Sequence, residues 1–147
     1  MNRRTALSLA GIAGLSLVAP VRADESTDAN KETLRRYVAE VINGGNVDLL
    51  PELVAEDYVS TTPGDIAGID ALRARLEATR QSAELFYDTM EYILTDVIAE
   101  GDVVMARGRI VASRDGKSMD TDLMVQADFV DGMIRTIWNV FDPTQMF

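Results

Sequence analysis

Apolar positions recur about every 3.6 residues in the first half of the chain and at every second residue in the second half. The first helix is predicted to begin at Ser26 or Thr27, with a buried face formed by apolar residues three and four apart. These residues are Leu34, Tyr37, Val38, Val41 and Ile42. Residues 43–46 include two glycines, which tolerate the left-handed backbone that ends a helix, so the helix is predicted to stop there.

Further helices are predicted over residues 47–55 and 69–83, with a short strand over residues 58–62 between them. From Tyr87 onward the alternation predicts four strands, and the turns between them each carry an aspartate and a glycine. These strands are residues 87–98, 103–112, 119–129 and 133–141. Helices followed by an antiparallel meander predict an α+β fold in which the helices cover one face of the sheet.

The first 23 residues have the pattern of a cleavable export signal. Arg3 and Arg4 make its start positive, residues 5–19 form an apolar run, and Val21 and Ala23 occupy the positions expected before a cleavage site. The apolar run is shorter than the roughly 20 residues that a membrane-spanning helix needs. We therefore predict cleavage after Ala23.

The mature protein is then a single domain over residues 24–147, exported and located in the periplasm. The arginine pair and the mildly apolar run favour the twin-arginine route, and the general secretory route remains open.

The chain contains neither cysteine nor histidine. Disulfides, thiolate or imidazole metal sites, and nucleophiles paired with histidine are therefore excluded. Catalysis would have to use carboxylates, tyrosine, lysine, arginine or neutral hydrogen-bonding groups. We expect no metal and no cofactor.

The formal net charge is −10, and the first 23 residues hold three arginines and no acid. Without them, 11 basic residues oppose 24 acidic ones, which gives the mature chain a net charge of −13. Such a surface repels nucleic-acid phosphates and anionic lipid heads. We therefore expect no nucleic-acid partner, and no membrane partner once the signal is removed.

Four groups of residues follow one another in the order of a known family. They are Arg36-Tyr37-Val38 with Asn43-Gly44-Gly45-Asn46, then Leu53-Val54-Ala55-Glu56-Asp57-Tyr58-Val59, then Gly68-Ile69-Asp70-Ala71-Leu72-Arg73, then Asp131-Gly132-Met133-Ile134 with Trp138 and Asp142. In this order they resemble the SnoaL-like and ketosteroid-isomerase-like group of the nuclear transport factor two-like superfamily. The resemblance implies a cone-shaped, curved antiparallel or mixed sheet wrapped around three N-terminal helices. It also implies a small apolar or carbonyl-containing ligand in the cone and a homodimer paired through the open sheet face.

Tyr37 occupies the position at which ketosteroid isomerases carry a tyrosine that donates a hydrogen bond to the developing oxyanion. The alternative is a core aromatic side chain with its hydroxyl at the rim. By position, Thr62 replaces the general base of those isomerases and Val125 replaces their protonated acid. The resemblance therefore argues against steroid isomerisation, while Tyr58 and Thr62 remain candidate substrate-binding residues.

The last strand is closer to that of SnoaL-like polyketide cyclases, which makes Asp142 the candidate base that removes a proton next to a carbonyl. Trp138 is predicted to face the same way, and contact with its indole would raise the pKa of the carboxyl. The alternative is that Asp142 caps the strand end in water. Arg107 shares a strand face with Arg109 and either binds an acidic group of a ligand or balances the acidic surface.

Two functions from different classes follow. The first is an exported protein with an apolar, cofactor-free pocket for a small metabolite, acting as a cyclase or isomerase if it is catalytic. The second is a non-catalytic periplasmic ligand-binding or dimerisation module. The same fold hosts both classes, so fold alone does not separate them.

Overall fold

The computed structural model describes residues 21–60 and 64–146. Within these residues, three α-helices lie against one face of a curved, open, six-stranded sheet. The predicted α+β fold class is therefore confirmed. Residues 1–20, which hold most of the predicted export signal, and Thr62 lie outside the described residues.

The helical segments are α1 (Val21–Arg36), its π-helical continuation (Tyr37–Asn43), a 3-10 turn (Val47–Leu49), α2 (Leu50–Leu53), α3 (Ile69–Phe86) and a C-terminal turn of 3-10 helix (Pro143–Met146). The first helix begins before the predicted start at Ser26 or Thr27, and it ends as predicted, where Gly45 adopts a φ of +70°. Its predicted face is buried at Leu34, Tyr37, Val38 and Val41. Among the described residues, no helix combines the length and the apolar character needed to cross a membrane.

The helix predicted over residues 47–55 is wrong only in its last two residues. Helical structure stops at Leu53, and Val54 and Ala55 already belong to the first strand. The reason is non-local, because Val54 pairs in parallel with Ile134 near the other end of the chain. Such pairing overrides the helical spacing of the local leucines.

The strands are β1 (Val54–Ser60), β2 (Ile66–Ala67), β3 (Thr89–Glu100), β4 (Val103–Arg114), β5 (Lys117–Val130) and β6 (Met133–Phe141), in the sheet order β2-β1-β6-β5-β4-β3. β3 to β6 form the predicted antiparallel meander, with ends within two residues of the predicted ones. β1 pairs in parallel with β6, which makes the sheet mixed. β2, which pairs antiparallel with β1, was not predicted from the sequence pattern.

The sheet has a buried inner face and an exposed outer face. Buried and exposed positions alternate along most of β4 and β5, as expected for a sheet that is covered on one side only. The buried inner residues are Val104, Ala106, Gly108, Ile110 and Ala112 on β4, and Thr121, Leu123, Val125, Ala127 and Phe129 on β5. The apolar ones among them form the core together with the buried face of the first helix and Leu72 of α3.

Candidate functional site

Three tyrosines converge between the first helix and the inner face of the sheet. Tyr37 lies in the π-helical continuation of α1, Tyr58 on β1 and Tyr92 on β3. Burial raises the pKa of Tyr37, and the nearby phenols of Tyr58 and Tyr92 raise it further. Burial also raises the pKa of Tyr58 and of Tyr92. All three hydroxyls are therefore protonated at neutral pH and able to donate a hydrogen bond.

The Tyr37 hydroxyl is buried without a hydrogen-bond partner in the part of the chain that the structure describes. Its residue is only 5% exposed. Tyr58, by contrast, hydrogen bonds with Ser60, and the Ser60 Oγ donates to the carbonyl oxygen of Ile137 at 3.2 Å. Buried polar groups in native proteins nearly always have a partner. The Tyr37 hydroxyl is therefore a buried hydrogen-bond donor that the described residues leave unpaired.

Asn43 holds the third tyrosine in place. Its Nδ2 donates to the carbonyl oxygen of Tyr92 at 2.8 Å, and its Oδ1 accepts from the backbone nitrogen of Tyr92 at 2.9 Å. Because β3 is an edge strand, these bonds satisfy backbone groups that no neighbouring strand pairs. Arg80 of α3 donates to the carbonyl oxygen of Asn43 at 2.9 Å and links a further element to this corner.

Tyr92 was not among the predicted site residues. The alternation of residues along β3 could have identified it, because Tyr92 lies on the same face of the strand as the apolar residues Met90 and Leu94. In the structure these three residues pack against the core. Asn43 was interpreted only as part of the run that ends the first helix.

Asp142 lies just beyond β6, exposed to solvent. Its carboxylate accepts hydrogen bonds from the Thr144 hydroxyl at 2.6 Å, the Thr144 backbone nitrogen at 2.9 Å and the Gln145 side-chain amide at 3.2 Å. These bonds lower the pKa of Asp142, the Thr144 hydroxyl most strongly. The expected burial against Trp138 with a raised pKa is therefore wrong. The geometry agrees with the alternative, because Asp142 caps the C-terminal turn that begins at Pro143.

Trp138 and Arg107 lie on the outer face of the sheet. Trp138 pairs with Gln126 and is 44% exposed, and Arg107 pairs with Met124. The expectation that Trp138 would line the cone is therefore wrong, and the position of Arg107 agrees with the alternative that it balances the acidic surface. The cause is a register shift between β5 and β6, which turns both Ile134 and Ile137 inward and so sets Trp138 outward.

Within residues 25–60 and 64–146, no carboxylate side chain is buried. The two partly buried ones are paired, Glu40 with Arg36 at 2.8 Å and Asp128 with the Thr136 hydroxyl at 2.7 Å. The described residues contain no group of three or more acidic side chains placed to hold a metal ion. Two open surface clefts, one beside Arg73 and the other beside Asp142, are lined by none of the three tyrosines.

A family model of the SnoaL-like domain matches residues 34–137. A search of the curated proteins found no match.

Solved structures share the fold across most of the chain. Bal32a from a soil-derived mobile gene cassette is 26% identical, with a TM-score of 0.69 over 82% of this chain and 95% of that chain. A SnoaL-like polyketide cyclase from Agrobacterium tumefaciens strain C58 is 16% identical, with a TM-score of 0.65 over 80% and 94%. TsrD from Streptomyces laurentii is 17% identical, with a TM-score of 0.65 over 81% and 92%. At the two lower identities the likeness concerns the fold alone.

Proposed function

The chain belongs to the family of SnoaL-like domains, and on this premise we propose that it binds a small, largely apolar metabolite between its helices and the inner face of its sheet. The ligand carries a carbonyl or phenolic oxygen. The observation that carries the proposal is the buried Tyr37 hydroxyl, which has no partner among the described residues and lies beside the phenols of Tyr58 and Tyr92.

The surroundings of Tyr37 suit such a ligand. The walls are apolar, with Leu34 and Val38 from the first helix and Ile110 from β4 in the same core. A phenol in such a dry environment donates a stronger hydrogen bond than it does in water. Tyr37 therefore supplies orientation, and the apolar walls supply most of the affinity.

A cofactor-free cyclase or isomerase is the second candidate function. It rests on analogy of fold with the Agrobacterium tumefaciens neighbour, which is described as a SnoaL-like polyketide cyclase. Such a reaction needs a base, and Asp142 remains the proposed one. Its exposure and its lowered pKa make the carboxylate a weak base, so the geometry favours binding. An Asp142→Asn protein that retains full turnover of an identified substrate would exclude Asp142 as the base.

The binding proposal is tested by titrating the mature protein with 2-naphthol, a fluorescent phenol. Tyr37→Phe should weaken binding about tenfold, because it removes one hydrogen bond of about 1.4 kcal/mol in a dry site. Thr136→Val is the matched control, since it also removes a hydroxyl, but one on the outer face that is already bonded to Asp128. Equal affinities for all three proteins would contradict the proposed role of Tyr37.

Native mass spectrometry of protein purified from its own host tests the proposal without a chosen probe. A co-purifying metabolite with a carbonyl or phenol group supports binding and identifies the chemical class. A protein that carries nothing and binds no probe favours a module whose interior is filled by its own side chains.

We also propose that the protein is exported and that residues 1–23 are removed. The support is the positive start, the apolar run and the cleavage pattern at Val21 and Ala23. The intact mass of the protein from an envelope fraction decides the question. A chain that begins at Asp24 supports export, and a chain that retains Arg3 and Arg4 contradicts it.

We also propose that two copies of the chain form a homodimer through the outer faces of their sheets. This face exposes a group of apolar side chains, namely Ile98, Met105, Met124, Trp138 and Val140. Within the described ranges, Arg107 and Asp122 of the same face form no ion pair. In an interface with two-fold symmetry, each contact between two different residues occurs twice. Arg107 of each copy can therefore pair with Asp122 of the partner subunit.

The oligomeric state of two charge variants tests the dimer. Val140→Glu places a charge on the apolar outer face and should give a monomer in analytical ultracentrifugation. Leu85→Glu is the matched control, because Leu85 is a more exposed apolar side chain on α3. A dimer that survives Val140→Glu unchanged would show that the outer face is not the interface.

A further inference from the structure

The C-terminal turn (Pro143–Met146) buries the side chain of Met146. Met146 is 3% exposed and belongs to the same apolar core as Ile110, Ala112 and Leu123 of the inner face. The turn is held at both ends. Asp142 caps its start, and the Tyr87 hydroxyl donates to the carbonyl oxygen of Met146 at 3.0 Å.

The topology shows which part of the interior the turn covers. β6 ends at Phe141 and β3 begins at Thr89, and both of these termini lie at the same end of the sheet as the β4–β5 hairpin. β5 and β4 lie between β6 and β3 in the sheet. A turn that leaves β6 and bonds to Tyr87, just before β3, therefore crosses the inner face over β5 and β4.

A buried polar residue of the inner face lies close to the C-terminal turn. Thr121 of β5 is 4% exposed, and its hydroxyl has no partner in the part of the chain that the structure describes. In the register of the sheet, Thr121 lies opposite Ile110, and Ile110 lies opposite Tyr92, one of the three converging tyrosines. Tyr92, Ile110 and Thr121 therefore lie side by side across the sheet, and this line of residues leads from Tyr92 to the end of the interior that Met146 occupies.

We propose that Met146 is a specificity-determining residue whose side chain closes this end of the interior and limits the length of the ligand. The inference rests on the proposed binding function and goes beyond it, because it assigns the size limit to one residue. Methionine suits such a position, since its flexible thioether fills an irregular apolar space and can move. In this assignment Asp142 is a positioning residue, which holds the turn that carries Met146.

Two phenols of different length provide the test, with the mature full-length protein throughout. The probes are 2-naphthol, with two fused rings, and 1-hydroxypyrene, with four. Met146→Ala should bind 1-hydroxypyrene about tenfold more tightly than the wild type does, because the longer probe gains the apolar volume that the side chain leaves. Its affinity for 2-naphthol should change by less than about threefold. Met133→Ala is the matched control, since it shortens a partly buried methionine at the opposite end of β6.

A second measurement does not depend on affinity. In protein labelled at the methionine methyl groups, the NMR signal of Met146, assigned with Met146→Ala, should shift when 2-naphthol is added. The signal of the exposed Met124 should stay unchanged.

The outcomes separate this proposal from the function on which it rests. If 2-naphthol binding requires the Tyr37 hydroxyl but Met146→Ala leaves the ratio of the two affinities unchanged, the role of Met146 is wrong and the binding function stands. If neither probe binds the wild type but 1-hydroxypyrene binds Met146→Ala, the closing role of Met146 is supported. If no variant binds either probe and the Met146 signal does not move, the proposed function fails, and the Met146 proposal fails with it.

Discussion

The Tyr37 hydroxyl is a buried polar group among apolar side chains, and it has no hydrogen-bond partner in the described residues. A donor taken out of water without a partner costs folding free energy, and phenylalanine would fill nearly the same space without that cost. In the proposed function, the loss of stability is offset when an oxygen atom of the ligand accepts a hydrogen bond from Tyr37.

Tyr37→Phe should therefore leave the protein as stable as the wild type, or more stable by up to about 1 kcal/mol in free energy of unfolding. Tyr58→Phe is the comparison. It loses a hydroxyl that has a partner in Ser60 and should cost about 1 kcal/mol. Urea unfolding of the three proteins measures both effects. A Tyr37→Phe protein destabilised by more than Tyr58→Phe would show that the Tyr37 hydroxyl is satisfied in the folded state.

Asp142 should make the C-terminal turn sensitive to acid. Its pKa is lowered from the ordinary value of 3.8 by the hydrogen bonds from Thr144 and Gln145. A group whose pKa is lower in the folded state contributes stability above its unfolded value, and the contribution is lost as the pH falls through the folded pKa. We expect the Met146 methyl signal to be constant above the ordinary value of 3.8 and to change only as the pH falls below it.

Asp142→Asn is the control for this titration. Asparagine caps as well as aspartate but does not ionise in this range, so the acid-induced change should disappear. If the Met146 signal moves at the same pH in both proteins, another group controls the turn.

At the scale of elements, the local sequence pattern was enough to predict a strand wherever strands that are consecutive in the sequence are also neighbours in the sheet. The meander of β3 to β6 was predicted to within two residues at each end. The failures lie where pairing is non-local. β1 starts at Val54 because it pairs with β6, and β2 exists only because it pairs with β1.

The same limit explains the errors in the predicted site. The burial of Tyr37 and Tyr58 follows from a helical face and a strand alternation, and both are buried in the structure. Trp138 was assigned to the wrong face because its orientation depends on a register shift between two strands. Alternation within β6 alone relates Trp138 to Val140, but it cannot say which side faces the helices.

Gly108 shows a constraint on the sheet that pattern alone does not reveal. A Cβ at this position would overlap the carbonyl oxygen of Ile93 on β3, beside the register shift between Leu94 and Asp96. Gly108→Ala should therefore lower the free energy of unfolding by about 3 kcal/mol. Gly116→Ala should cost only about 1 kcal/mol, since it has open space and only an unfavourable φ of +75°. Equal costs in urea unfolding would contradict the close approach of β3 and β4.

At the scale of the whole molecule, charge and apolar surface oppose each other. Residues 24–147 carry a net charge of −13, and two such copies repel at low ionic strength. The outer face nevertheless exposes Trp138 and Val140, which lose contact with water when a partner covers them. Association through this face therefore depends on how far salt screens the remaining charges.

The proposed dimer should tighten as salt rises. Between 10 mM and 300 mM NaCl the screening length falls from about 30 Å to below about 10 Å, so repulsion between the acidic copies fades while apolar burial persists. We expect the dissociation constant from analytical ultracentrifugation to fall by about tenfold over this range. Arg107→Gln is the informative variant. Arg107 forms no ion pair within the described residues and is proposed to cross the interface, so its loss should weaken the dimer most at low salt. A wild-type dimer that instead dissociates as salt rises would be held by ion pairs, and the apolar outer face would not be its main source of affinity.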